Sequence, residues 1–221
     1  MLPCISRRRH TAQVMASSRW PCPVEGVVIA SYNFDDGARE TVVEEAKTYG
    51  DPGAPEAGTR RWAEWVLGRA AVRNAADSVG LHIDQVETSP EGAPVLPGSP
   101  WGISIAHTRG VVLGAIGPGR IGIDVERADR DVSRLRRALL PGEEELTVSL
   151  SAVSIFVAKE AAAKATGQGL GGSLACWPVV DVELSGPAPR VGVAIASPGV
   201  IDVRVWEHSG FVTGVACLPS A

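Results

Sequence analysis

The sequence predicts an α+β protein made of two similar halves. Stretches rich in β-branched residues read as strands, and two long stretches read as helices. Their order is strand, helix, strands, then helix, strands, so one pattern is run through twice. The composition, 45% hydrophobic and 21% charged over 221 residues, is that of an ordinary folded chain. That length suits one large domain or two small halves sharing a core. Residues 1–23 are expected to be a disordered extension, 24–117 the first half and 118–221 the second.

Val24–Tyr32 (VEGVVIASY) reads as a strand, Asn33–Gly37 as a turn, and Asp51–Gly58, dense in Pro and Gly, as a loop. Thr59 to Ser78 reads as a helix. Trp62, Trp65, Val66, Ala76 and Val79 recur near helical spacing, with Thr59 to cap the start and Gly80 the end. Arg60, Arg61, Arg69 and Arg73 decorate it, and the ordinary meaning of such arginines is a solvated face. Glu87–Pro100 is a Pro/Gly-rich connection. Trp101–Ala106 and Val111–Ile116 read as a hairpin, and Ile121–Glu126 as a further strand. A helix is expected over Asp131–Leu140 and a short one near Gly142. Ala152–Thr166, rich in Ala and Lys, is the clearest helix of the second half. Val179–Leu184, Val191–Ala196, Val200–Trp206 and Phe211–Cys217 complete the chain as strands.

Several classes of function are excluded by composition. No apolar run reaches the ~18 residues of a membrane helix. The net charge of −4 gives no global attraction to nucleic acid, so an anionic ligand needs a local basic cluster. The four cysteines match neither a metal-binding spacing nor a disulfide framework, which points to free thiols and a reducing, cytoplasmic setting. The arginines near the start are not followed by the apolar stretch of a secretory signal.

Three local patterns carry chemistry. In Gly122-Ile123-Asp124-Val125-Glu126, alternation along a strand puts Asp124 and Glu126 on one side and Ile123 and Val125 on the other. Neighbouring carboxylates repel unless a cation lies between them, and magnesium suits hard oxygen ligands. Glu160 and Lys164 stand four apart on one helix face, among Ala161, Ala162, Ala163 and Ala165. Such spacing commonly means a surface ion pair, but the small apolar neighbours suit a cleft. In Ser104–Thr108 (SIAHT), His107 lies two residues from Arg109, a plausible anion site.

Taken in order, these pieces resemble the 4′-phosphopantetheinyl transferase superfamily. Its signature is Gly-Ile-Asp-Val/Ile-Glu followed by Trp-x-x-Lys-Glu-x-x-x-Lys, and this chain has Gly122–Glu126 and Phe156–Lys164. The Arg61, Trp65, Gly68, Arg69 and Arg73 spacing resembles a helix of the long, surfactin-type subfamily. Gly92-Ala93-Pro94, Ser104–Thr108, Leu140-Pro141-x-Glu143 and Gly167–Leu170 resemble further motifs of that subfamily. The likeness covers roughly residues 58 to 217. Phe156 stands where the family has Trp, Ala93 where it often has Lys, and Ala106 where it has Ser.

The resemblance implies a pseudo-dimeric fold with the active site between its halves. It implies Asp124, Glu126 and Glu160 as ligands of Mg2+, with Glu160 also taking a proton from the acceptor serine. Lys164 would hold a phosphate oxygen and orient Glu160. Arg60, Ser104 and His107, with Gly92, Ala93 and Pro94 beside the adenosine, would contact coenzyme A, the co-substrate. The acceptor would be an apo acyl, peptidyl or aryl carrier protein, in polyketide or nonribosomal peptide biosynthesis, and the enzyme a monomer. The alternative is a non-catalytic relative that binds coenzyme A or a carrier protein, motivated by Ala93 and Ala106.

Overall fold

The computed structural model describes residues 18–34, 54–57, 59–136, 139–147, 149–169, 173–194 and 199–219. Its strands are β1 (Ser18–Trp20), β2 (Val28–Phe34), β3 (Glu87–Thr88), β4 (Pro94–Val95), β5 (Trp101–Thr108), β6 (Gly110–Pro118) and β7 (Arg120–Arg127), then β8 (Val179–Glu183), β9 (Arg190–Ala194), β10 (Val200–His208) and β11 (Phe211–Leu218). Its α-helices are α1 (Arg60–Asp77), α2 (Ser133–Arg136), α3 (Glu143–Leu146) and α4 (Ala152–Thr166). The expected α+β class with two related halves is what the chain adopts: a four-stranded sheet ordered β1-β2-β6-β5 and a five-stranded sheet ordered β7-β11-β10-β9-β8. Every pairing within them is antiparallel.

Each half lays its long helix on its sheet by the same device. In the first, α1 begins at Thr59, whose side chain accepts from the Trp62 amide. Gly114 of β6 lets it approach closely: a Cβ there would lie 2.3 Å from the Val72 amide nitrogen. In the second, Ser151 caps α4 by accepting from Ser154 N, and Gly167 ends it in the left-handed region at φ 76°. Gly122 of β7 faces that helix, and a Cβ would lie 2.1 Å from the Ala161 carbonyl oxygen. The glycine of the Gly-Ile-Asp-Val-Glu run is thus a packing requirement, bringing backbone against backbone.

The halves meet along β5 and β7, which lie side by side without sharing a sheet. A core between them joins Trp20, Ile29, Ala106 and Leu113 of the first half to Ile123, Val125 and Val215 of the second. Ile123 and Val125 are buried there, as the strand alternation predicts. The seam itself is tight, since a Cβ on Gly102 would lie 2.1 Å from the Gly119 carbonyl oxygen.

Some expectations shift. Ser18–Trp20, inside the stretch read as an extension, forms β1, and Trp20 is buried with its indole donating to Thr213. Residues 1–17 lie outside the described residues. Strand β2 starts and ends later than Val24–Tyr32. The helix expected over Asp131–Leu140 is α2, only Ser133–Arg136, with 137–138 outside the described residues. Arg69 and Arg73 are not on a solvated face: both are buried, Arg69 stacked 3.6 Å from the Trp65 ring centre and donating to Thr88, Arg73 donating to the Asp84 carbonyl. Their long stems pack while their heads reach local oxygens. Among the described residues no helix is long and apolar enough to cross a membrane.

Candidate active site

β7 carries Asp124 and Glu126, and α4, packed on it, carries Glu160 and Lys164. Because Gly122 seats β7 directly on α4, Asp124 lies under the last turn of that helix. Lys164 Nζ donates to Asp124 Oδ1 at 2.8 Å and to the Ile123 carbonyl at 3.0 Å. Helix spacing alone pairs Lys164 with Glu160, but the tertiary contact with Asp124 is the one formed. Glu126, two residues along the strand, is bonded at both oxygens: Oε1 accepts from the Thr108 hydroxyl and Oε2 from Arg130. Among the described residues the Glu160 carboxylate has no hydrogen-bond partner.

The electrostatics show that Asp124 is felt by Glu160 and itself feels Glu126. Burial pushes Asp124 up; Lys164 pulls it back down and Glu126 adds to the rise. Burial also raises Glu160, and Asp124 raises it further, against the pull of Lys164 and Arg130. Mutual crowding of this kind marks a place that favours a cation. As the side chains stand, no three His, Cys, Asp or Glu groups among the described residues converge to hold a metal ion. Lys164 and Arg130 each hold one of the carboxylates, Asp124 and Glu126. The donor set is nonetheless all hard oxygen, the type magnesium takes.

Beside this cluster lies a cleft of about 730 Å³, between the β3–β4 hairpin, β5, the β6–β7 turn and the end of α4. Gly92, Ala93, Pro94, Ser104 and Lys164 line it, and its charged lining residues are Glu91, Arg120 and Lys164. Lys164 therefore belongs both to the cleft and to the carboxylate cluster. Ser104 has a structural duty as well: its buried hydroxyl accepts from the Ile123 amide at 3.0 Å, stitching β5 to β7. Ala106, where a hydroxyl is missing from the motif, is buried in the core between the halves.

Arg60 and His107 form a third group and do not line the cleft. Both face Glu64, which accepts from Arg60 Nε at 2.7 Å and lies 3.7 Å from His107 Nδ1. Thr108, the chain neighbour of His107, reaches the carboxylates, donating to Glu126.

Three residues of this arrangement escaped the sequence reading as site members: Arg130, Thr108 and Glu64. Arg130 carried no signal, because it lies past the end of β7 where no periodicity governs. Glu64 follows Arg60 at helical spacing, a pairing that could have been read. Glu143 and Lys159 were seen only as motif letters. They form a fully buried ion pair at 2.6 Å, and Glu143 also accepts from the Leu140 and Val179 amides at 2.8 Å each. This bond network fixes the back of α4, one residue from Glu160.

Two α+β halves in one chain, with acids and bases gathered beside the seam, define the pseudo-dimeric class of fold. The family follows from comparison. The model of the 4′-phosphopantetheinyl transferase N-terminal domain matches residues 52–117, and that of the 4′-phosphopantetheinyl transferase superfamily matches residues 120–198. The chain belongs to the 4′-phosphopantetheinyl transferase superfamily. No curated protein matches it.

Proposed function

We propose that the protein transfers the 4′-phosphopantetheine arm of coenzyme A to a serine of an apo acyl, peptidyl or aryl carrier protein, in a magnesium-dependent reaction. Lys164 carries this reading best, because it joins the carboxylate cluster to the cleft. Asp124, Glu126 and Glu160 would hold the metal. When bound, the ion would supply charge neutralisation at the diphosphate.

The chain's own residues would do the rest. The serine Oγ attacks the β-phosphorus in line, the bond to adenosine 3′,5′-bisphosphate breaks, and its electron pair leaves with that group. The serine proton passes to Glu160, directly or through water. A carboxyl raised by burial is a better proton acceptor than an ordinary one, and among the described residues no donor holds Glu160. Lys164 holds a phosphate oxygen while its bonds to Asp124 and Ile123 fix its direction. Gly92, Ala93 and Pro94 border the adenosine, Ser104 lines the same wall, and Arg60 and His107 offer phosphate contacts near Glu64. The two-half architecture fits the long, surfactin-type branch, a monomer serving polyketide or nonribosomal peptide carriers in the cytoplasm.

The test is direct. Incubation with coenzyme A, magnesium and a panel of apo carriers should add the arm to at least one, seen as a mass increase. Glu160→Gln should lower that transfer by roughly 10²–10⁴-fold with the fold intact. Retained coenzyme A binding without addition to any carrier would favour a non-catalytic relative.

A further inference from the structure

Arg130 follows β7 by three residues and reaches back into the carboxylate cluster. Its NH1 donates to Glu126 Oε2, and its guanidinium carbon lies 4.8 Å from the centre of the Phe156 ring. Phe156 is one turn before Glu160 on α4. One positive charge therefore holds Glu126, with an aromatic face beside it.

Arg130 and Lys164 hold their acids differently. Lys164 is anchored twice, to Asp124 and to the Ile123 carbonyl. Arg130 is 38% exposed at its side chain, on a loop, and rests against a phenyl ring. A guanidinium stays favourable over such a face when its ion pair is given up, although Phe is a weaker platform than Trp. A second cation at Glu126 Oε2 meets the positive charge of Arg130 there, and the two repel.

The geometry points to Arg130 as a built-in competitor for the divalent cation at Glu126, with Phe156 as the ledge that keeps the guanidinium nearby when it yields. This rests on the magnesium reading above and adds a positioning residue that sets how tightly the ion is taken. In this structure Glu126 is held by Arg130 and Thr108.

The test uses the full chain, stripped of metal by chelation, with Mn2+ as probe and neither coenzyme A nor carrier present. Free Mn2+ is followed by electron paramagnetic resonance. Arg130→Gln should bind Mn2+ on the order of tenfold more tightly than the wild type, the size of one pKa unit of charge interaction. Arg130→Lys, which keeps the charge, should stay near the wild type. Damage to the site would weaken binding, so tightening is a sign that a purely structural role would not produce. If Arg130→Gln is unstable, Arg130→Met, which keeps a stem over Phe156, serves in its place. Equal or weaker affinity in a folded Arg130→Gln overturns the inference. Should wild type and Arg130→Gln bind alike while Glu126→Gln loses the ion, the metal reading survives and this inference alone falls. If no variant binds Mn2+, both fall.

Discussion

The two halves pack their long helices alike and spend their basic residues differently. In the first, α1 lies on β6 through Gly114, and its inner arginines are consumed by the fold: Arg69 stacks on Trp65 and Arg73 reaches a carbonyl. In the second, α4 lies on β7 through Gly122, and the helix divides its lysines. Lys159 turns inward to Glu143, while Lys164 turns to the cleft and Asp124. The same strand–helix unit thus buries its cations in one half and turns one of them to a cleft in the other. What separates them is where carboxylates stand on the facing strand.

This contrast can be broken at the buried charges first. Lys159→Met removes the cation paired with buried Glu143 and leaves its carboxyl group, among the described residues, with the Leu140 and Val179 amides. It should cost about 3–5 kcal/mol in denaturant unfolding. Arg69→Met in the other half keeps the packed stem and should cost roughly 1–2 kcal/mol. Similar losses at both sites would mean that the halves use their buried cations alike.

The paired glycines give the next effect. Gly114→Ala and Gly122→Ala each push a methyl into helix backbone, and each should cost at least about 1–3 kcal/mol by thermal melting. Only Gly122→Ala should also weaken Mn2+ binding beyond its stability loss, because only that helix carries Glu160 and Lys164. Equal effects on metal binding would sink the division of labour.

The smallest effect is in pH. A carboxyl whose folded pKa is raised holds its proton more tightly folded than unfolded, so its ionisation costs stability as pH rises through the folded value. In chelator-treated protein, Glu160→Gln should therefore melt up to a few degrees higher than the wild type at pH 8. The gain should vanish at acid pH, where Glu160 is protonated in both states. A gain that persists in acid would assign the effect to packing.

Much of this was legible in the sequence, for local reasons. The Ala-rich run of α4, its Ser151 cap and its Gly167 stop set that helix residue by residue. Alternation along β7 put Asp124 opposite Ile123. What stayed hidden depends on contacts across the chain. Lys164 chose Asp124, 40 residues away, over Glu160 one turn away. Arg69 and Arg73 carry the residue type of a surface and occupy an interior. β1 is three residues long, and β3 and β4 are two each, too short for any periodicity to reveal. The tip of the β5–β6 hairpin is tighter than His107–Gly110, with Gly110 at φ 101° making the turn and both strands running further than their apolar cores.

The seam between β5 and β7 bears on how the two halves are held to one another. Within each sheet neighbouring strands are locked by a backbone ladder, whereas β5 is tied to β7 by the hydroxyls of Ser104 and Thr108 and by close contact at Gly102. Relative movement of the halves would therefore be resisted by side-chain bonds and by the core between them, not by a backbone ladder. Asp124 and Lys164 would keep together in any such movement, because β7 and α4 are clasped at Gly122.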